Sequence, residues 1–334
     1  MSERPRSAAA VIAAATAIAD DVLAPAAGEI DRAALVPRSH LDRLAAAGLY
    51  GLAGADVHPP TRWLATEILA AGCLATAFVW LQHHGAVQAV RRAALADEWV
   101  HALLAGDVRG GIAIGGVRAT TPSLHARRTG DQWTLDGTVP WATGWGLIDV
   151  VLVGAATDDG REVWSLLDAA TSSTVSVTPV ALVAANASAT VRMHFDAHVI
   201  PPDRIVGVVA HEPPPDGDGG GRNNGSLALG VARRVCRLMT PSPLDAQLDA
   251  CRAALDAADD AGLAAARAAA AAFALRATAR LVVHAGAAAV VAGSMAERSR
   301  RDALLTTVFG SRPAIRSSLL RRLEAYPSGR PGFR

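Results

Sequence analysis

Between Gly110 and Val206 the hydrophobic period of this chain changes, and that change limits the fold more than any other feature. Across residues 7–105, apolar side chains recur at three- and four-residue spacing: Val11, Ile18 and Val22; Leu41, Leu44 and Leu49; Leu64, Ile68, Leu74, Phe78 and Leu81. This spacing puts them on one face of a helix. Pro25, Pro37, Pro59 and Pro60 punctuate the helices, as proline does at helix starts and in connections. Inside the window the apolar runs are short and rich in β-branched and aromatic residues, as in Gln132-Trp-Thr-Leu, Val150-Val-Leu-Val, Val163-Trp-Ser-Leu-Leu and Thr190-Val-Arg-Met-His-Phe. Runs of that kind predict antiparallel strands, with Asp136-Gly137 and Asp159-Gly160 as turn pairs. The helical period returns over residues 227–239, 244–258, 263–292 and 295–309. The predicted class is α+β: an N-terminal helical domain (1–108), a central antiparallel β domain (109–210), a Gly/Pro/Asp-rich linker (211–225), a C-terminal helical bundle (226–323) and a frayed tail (324–334).

Charge and composition remove several kinds of function. With 32 basic and 31 acidic residues, the 334-residue chain has no large single-sign field to attract nucleic acid or anionic lipid. Every basic residue other than histidine is arginine. A phosphate-loop lysine and a Schiff-base lysine are therefore excluded. Cys73, Cys236 and Cys251 are scattered and odd in number, which predicts neither a disulfide framework nor a zinc site. The Ala-rich run 264–289 is broken by Arg267, Arg276, Arg280 and His284, so it reads as a buried helix and not as a membrane span. The N-terminal segment carries Asp20 and Asp21 and lacks the clean apolar core of a signal peptide. A cytoplasmic location is expected.

Four stretches carry a resemblance. Leu103-Leu-Ala-Gly-Asp-Val-Arg-Gly-Gly-Ile-Ala-Ile, Trp133-Thr-Leu-Asp-Gly-Thr-Val-Pro-Trp-Ala-Thr-Gly, Val191-Arg-Met-His-Phe-Asp-Ala-His-Val-Ile-Pro and Ala296-Glu-Arg-Ser-Arg-Arg-Asp-Ala occur in the order helices, β domain, helical bundle. Together they resemble the acyl-CoA dehydrogenase superfamily over most of the chain. Read from the residues alone, Trp141 and Thr143 are a core tryptophan and a turn threonine. The resemblance instead implies that the indole packs against the isoalloxazine of FAD and that the threonine lies near its reactive edge. It further implies oxidation of the CH–CH bond of an acyl-CoA-like substrate, an electron-transfer partner or oxygen as acceptor, and a homodimer or homotetramer.

The sequence also departs from that pattern. The position where the superfamily commonly keeps a glutamate base, eight residues after the Asp of its late Arg-Asp pair, falls on Gly310; the alternative position falls in Gly219-Gly-Gly-Arg. Where the flavin-lining segment is expected, the chain reads Gly115-Gly-Val-Arg-Ala-Thr-Thr-Pro-Ser, leaving Thr120, Thr121 and Ser123 as hydrogen-bond donors to the cofactor. Glu297, Asp302 and Asp245 are the remaining carboxylates considered as a base, and each also reads as an ion-pair or solvated residue. His83 and His84 suit proton transfer in a flavin-dependent monooxygenase or oxidase of the same fold. They lie about 100° apart on a helix, so one is expected to face the site and the other the surface; a structural role for both stays open. His284 reads as a core or interface residue. Arg312, Arg316, Arg321 and Arg322 form a basic cluster that could meet phosphate or solvent. A third reading is a non-catalytic relative acting as a binding or assembly subunit.

Overall fold

A computed structural model describes residues 7–54, 57–93, 97–117, 121–211 and 221–324. It opens with helices α1 (Ala8–Ile18), α2 (Ala24–Ala33), α3 (Arg38–Ala46), α4 (Pro59–Gly72), α5 (Leu74–Arg92) and α6 (Asp97–Ala105). Between α1 and α2 the chain widens into a π turn at Ala19–Leu23, where the Ala24 N–H reaches back five residues to the Ala19 carbonyl. Pro25 follows immediately and has no N–H to continue the ordinary ladder, so the wider turn accommodates it. At the other junction, Cys73 is extended (φ −146°) and separates α4 from α5. The chain then changes direction without a loop.

The β domain consists of β1 (Gly110–Ala113), β2 (Leu124–Thr129), β3 (Gln132–Ala142), β4 (Val150–Ala156), β5 (Arg161–Asp168), β6 (Val175–Pro179), β7 (Val191–Ile200) and β8 (Ile205–Ala210). They form one sheet in the order β6-β7-β3-β2-β4-β5-β8, with β1 parallel to β4. Asp159-Gly160 makes the β4–β5 turn, with Gly160 at φ 76°. Asp136-Gly137 makes no turn. Strand β3 runs straight through it with a register shift, and the chain reverses earlier, between Thr129 and Gln132. Gly137 has φ 121°, and a Cβ there would lie 2.3 Å from the Ser123 carbonyl oxygen. A bulge and a turn both need glycine's freedom, so the same dipeptide serves either.

The C-terminal helices are α7 (Gly221–Leu238), α8 (Asp245–Asp256), α9 (Asp260–Ala285), α10 (Met295–Val308) and α11 (Pro313–Glu324). Helix α7 takes up residues 221–225, which the sequence assigned to a linker; the tail after residue 324 lies outside the described residues. N- and C-terminal helices share one hydrophobic core, in which Leu23, Leu69, Leu74 and Trp80 pack with Leu229, Val235, Phe273 and Ala303. Their tightest junction is Gly230 on α7, where a Cβ would come within 2.5 Å of Ala70 Cβ and 2.6 Å of the Glu67 carbonyl oxygen on α4. Gly230→Ala is expected to lower stability by about 1–3 kcal/mol, read as a lower urea midpoint. Gly207→Ala, where a Cβ meets nothing within 4 Å, is the control and should leave the midpoint in place or raise it.

Two helical stretches, Ala8–Ala33 and Asp260–Val290, are long and apolar enough to span a bilayer by length and composition alone. Both contribute side chains to the shared core, through Ala15 and Leu23 in the first and Phe273 and Ala277 in the second.

Candidate functional site: a cleft walled by donors

Helix α5 lies between β1 on one side and α4 and α7 on the other. Nearly every side chain from Leu74 to Val90 is therefore buried, and His83 (1% exposed) and His84 (4%) are both interior. The expectation that one of them would reach the surface is corrected: 100° of helical rotation does not reach solvent when the helix is covered on opposite faces.

The two histidines do different things. His83 Nδ1 accepts from the Gly110 N–H at 2.9 Å, and its Nε2 lies 3.0 Å from the Leu103 carbonyl oxygen, to which it donates. With both ring nitrogens engaged, it ties α5 to the end of α6 and the start of β1. Burial, opposed by the Leu103 hydrogen bond and assisted by Arg109, pulls its pKa down to about 3. His84 instead lines a cleft of about 660 Å3, within the range of small-molecule sites. Burial, His83 and Arg62 hold its pKa well below the ordinary histidine value. Thr66 Oγ1 lies 2.9 Å from both the Arg62 carbonyl oxygen and Asn223 Oδ1, and Asn223 Nδ2 lies 3.4 Å from His84 Nδ1. His84 Nε2 is buried without a partner in the protein.

Gly310 stands on the opposite wall of the same cleft. The Phe309 ring packs edge-on against Phe78 of α5 at 4.7 Å, and the Phe309 carbonyl accepts from Arg267 Nη2 at 3.0 Å. These contacts fix Gly310 at φ 57°. A Cβ there would lie 2.9 Å from Asn224 Nδ2 and 3.8 Å from Arg267 Nη1. Arg267 is 4% exposed and its Nη1 has no partner; burial and Arg312 bring its pKa down to about 10. Arg62, Arg312 and Arg316 also line the cleft, and no Asp or Glu does among the described residues. Arg321 and Arg322 are outside the lining.

On the β domain, Trp141 ends β3 with its side chain 48% exposed. Thr143 is buried, with its Oγ1 3.1 Å from Thr190 Oγ1, which is in turn 2.9 Å from Ser188 Oγ. If Ser188 donates to Thr190 and Thr190 to Thr143, the Thr143 hydroxyl proton is left for a ligand. Ser123 Oγ donates to the Thr138 carbonyl at 2.9 Å, Thr121 is exposed, and Thr120 lies outside the described residues. None of the three carboxylates considered as a base lines the cleft. Glu297 pairs with Arg301, Asp302 pairs with Arg234 at 2.8 Å in the core, and Asp245 is exposed at the start of α8. His284, expected in the core or an interface, is exposed on the last turn of α9. The sequence reading missed Arg62, Asn223, Asn224 and Arg267. The available signal was the single arginine that interrupts the alanine run between Ala264 and Phe273.

No protein-family model matches the chain. Its structure superposes on butyryl-CoA dehydrogenase from Megasphaera elsdenii with a TM-score of 0.80 at 17% identity, over 96% of this chain and 98% of that one. It also superposes on glutaryl-CoA dehydrogenase from Mycobacterium smegmatis in complex with FADH2 (TM-score 0.79, 18% identity, 99% and 97% covered). Dibenzothiophene monooxygenase from Paenibacillus sp. A11-2 gives a TM-score of 0.74 at 19% identity, with 94% and 96% covered. The chain thus has the acyl-CoA dehydrogenase fold, a helical body around a central sheet. In sequence it is 27% identical over 158 residues to the mitochondrial short-chain specific acyl-CoA dehydrogenase of Rattus norvegicus, 43% of this chain and 38% of that protein. That match spans less than two fifths of the relative's length.

Proposed function

We propose that the chain is an FAD-dependent oxidoreductase whose substrate enters the cleft between α5 and the Phe309–Arg312 segment. The observation that carries this reading is the cleft itself: about 660 Å3, walled by α5, α7, α9 and the end of β1, and lined by buried polar atoms that the protein leaves unpartnered. The β domain offers residues that fit a flavin. Trp141 presents an exposed indole face for ring stacking, and the Ser188–Thr190–Thr143 chain can direct one hydroxyl proton at a ring nitrogen. When bound, FAD supplies the two-electron acceptor. The protein's own contribution is to orient the substrate, donate hydrogen bonds to it and exclude water.

The first reading is oxidation of an acyl-CoA-like substrate, with an electron-transfer protein as acceptor, in a cytoplasmic homodimer or homotetramer. The dehydrogenase neighbours support the class of reaction, and the exposed Val283, Val290 and Val291 beside α9 support self-association. A specific observation favours a second reading. Gly310 holds no carboxylate and no Asp or Glu is among the described lining residues, so the described wall offers no carboxylate base. An oxygen-using flavoenzyme needs no α-proton base, and one neighbour is a monooxygenase. The non-catalytic alternative requires only the fold.

The absorption spectrum of the purified protein between 300 and 550 nm, followed by anaerobic addition of acyl-CoA thioesters, separates the three. Bound flavin that bleaches supports the first reading. Flavin that stays oxidised with thioesters, but is reduced by a reductase and then consumes oxygen, supports the second. A colourless protein that cannot be reconstituted with FAD overturns both. In the flavin-containing cases, Trp141→Ala is expected to weaken FAD retention by about tenfold or more, read by equilibrium dialysis.

A further inference from the structure

Two guanidinium nitrogens of the cleft residues are buried without acceptors, Arg267 Nη1 and Arg62 Nε, and Asn224 Nδ2 faces the same point as Arg267 Nη1 beside Gly310. Ser311 Oγ is also unpartnered and can donate or accept. A guanidinium taken out of water without a counter-charge is strongly disfavoured, and proteins tolerate one chiefly where something else supplies the negative charge. Here the charged group acting on Arg267 is a second cation, Arg312, and no acidic side chain is among the described lining residues. The direction in which a side chain at 310 would project therefore leads to a cation and an amide donor.

Taking the cleft as the ligand site, we infer that its inner wall is a carboxylate-binding subsite. Arg267 and Asn224 receive an anionic carboxylate carried by the ligand itself, at the point toward which a side chain on residue 310 would project. The substrate class is a small organic acid, or an acyl derivative with a second, free carboxylate. Arg62 completes the donor set for its oxygens. Carboxylate suits this position better than phosphate because its two coplanar oxygens match the planar guanidinium of Arg267 and the carboxamide of Asn224.

Isothermal titration calorimetry on the full chain, with whatever flavin it retains, tests this with succinate, its neutral diamide and inorganic phosphate as probes. Succinate is expected to bind one site per chain, about tenfold or more tighter than the diamide. Arg267→Gln should abolish that preference. Because Arg267 also holds the Phe309 carbonyl, a second variant keeps the test independent of folding: Asn224→Asp is nearly isosteric and should weaken succinate by about tenfold or more through like-charge repulsion and internal pairing with Arg267. Equal binding of the diamide, undiminished succinate binding in a folded Asn224→Asp variant, preference for phosphate, or no heat with any probe each overturns the inference. Flavin content is read separately from the absorption spectrum. A colourless protein that binds succinate would sink the oxidoreductase reading and keep the subsite, and a yellow protein that binds none would do the reverse.

Discussion

Lowering the pH from 7.5 to 5 is expected to reduce the unfolding free energy by about 2 kcal/mol through His83, with a further loss of the same sign through His84. Both are held neutral in the fold, His83 down to about pH 3, because burial disfavours the imidazolium. The unfolded chain regains an ordinary histidine value near 6.5. Below that value the unfolded state takes up protons that the folded state refuses, so stability is fully present above about pH 6.5 and falls by about 1.4 kcal/mol per unit for each residue as pH drops toward the folded values. Against a typical total of about 5–15 kcal/mol, the loss is large. Urea unfolding at pH 7.5, 6.5, 5.75 and 5 measures the slope. In His84→Gln the slope should fall; a variant that keeps the parental slope would remove the His84 imidazole as a contributor.

The second large effect is expected in the core of the helical body. Asp302 on α10 bonds Arg234 of α7 at 2.8 Å, with both side chains only 7% exposed, and Arg298 is buried nearby. Asp302→Ala leaves those guanidinia in a low-dielectric interior without their carboxylate, at a cost of about 3–5 kcal/mol. The measurement is the urea midpoint at pH 7.5. Replacing the pair together, Asp302→Leu with Arg234→Met, should recover most of the loss, since two apolar side chains carry no desolvation penalty. A single variant that loses under about 1 kcal/mol would contradict the account. The pair probes structure and not chemistry, because Asp302 lies away from the cleft.

The α+β architecture was legible because it depends on local period: three- and four-residue spacing gives way to short β-branched runs at Gly110 and returns after the β domain. Asp159-Gly160 was legible as a turn for the same local reason. Asp136-Gly137 was misread because its glycine answers to a neighbouring strand, through the Ser123 carbonyl, and not to its own dipeptide. The cleft wall was largely hidden. Arg62, His84, Asn224, Arg267 and Gly310 come from five separate segments, and only the crossing of α5, α7 and α9 brings them together. An arginine in an alanine-rich helix reads locally as a solvated face; what makes Arg267 an interior donor is the segment at Phe309, more than forty residues later. Thr143 was nameable only through the family resemblance, and its partners Thr190 and Ser188 arrive from another strand and loop.

The left-handed backbone at Gly310 also constrains how this lineage can change. A glutamate introduced there by one codon change would meet two obstacles together: a φ of 57° that costs an L-residue about 1–2 kcal/mol, and the Asn224 amide 2.9 Å from its first side-chain atom. The second obstacle is the far end of a flexible side chain, so a carboxylate at this position comes with a rotation of Asn224 as well as the backbone cost, and residues 224 and 310 accept substitutions as a pair.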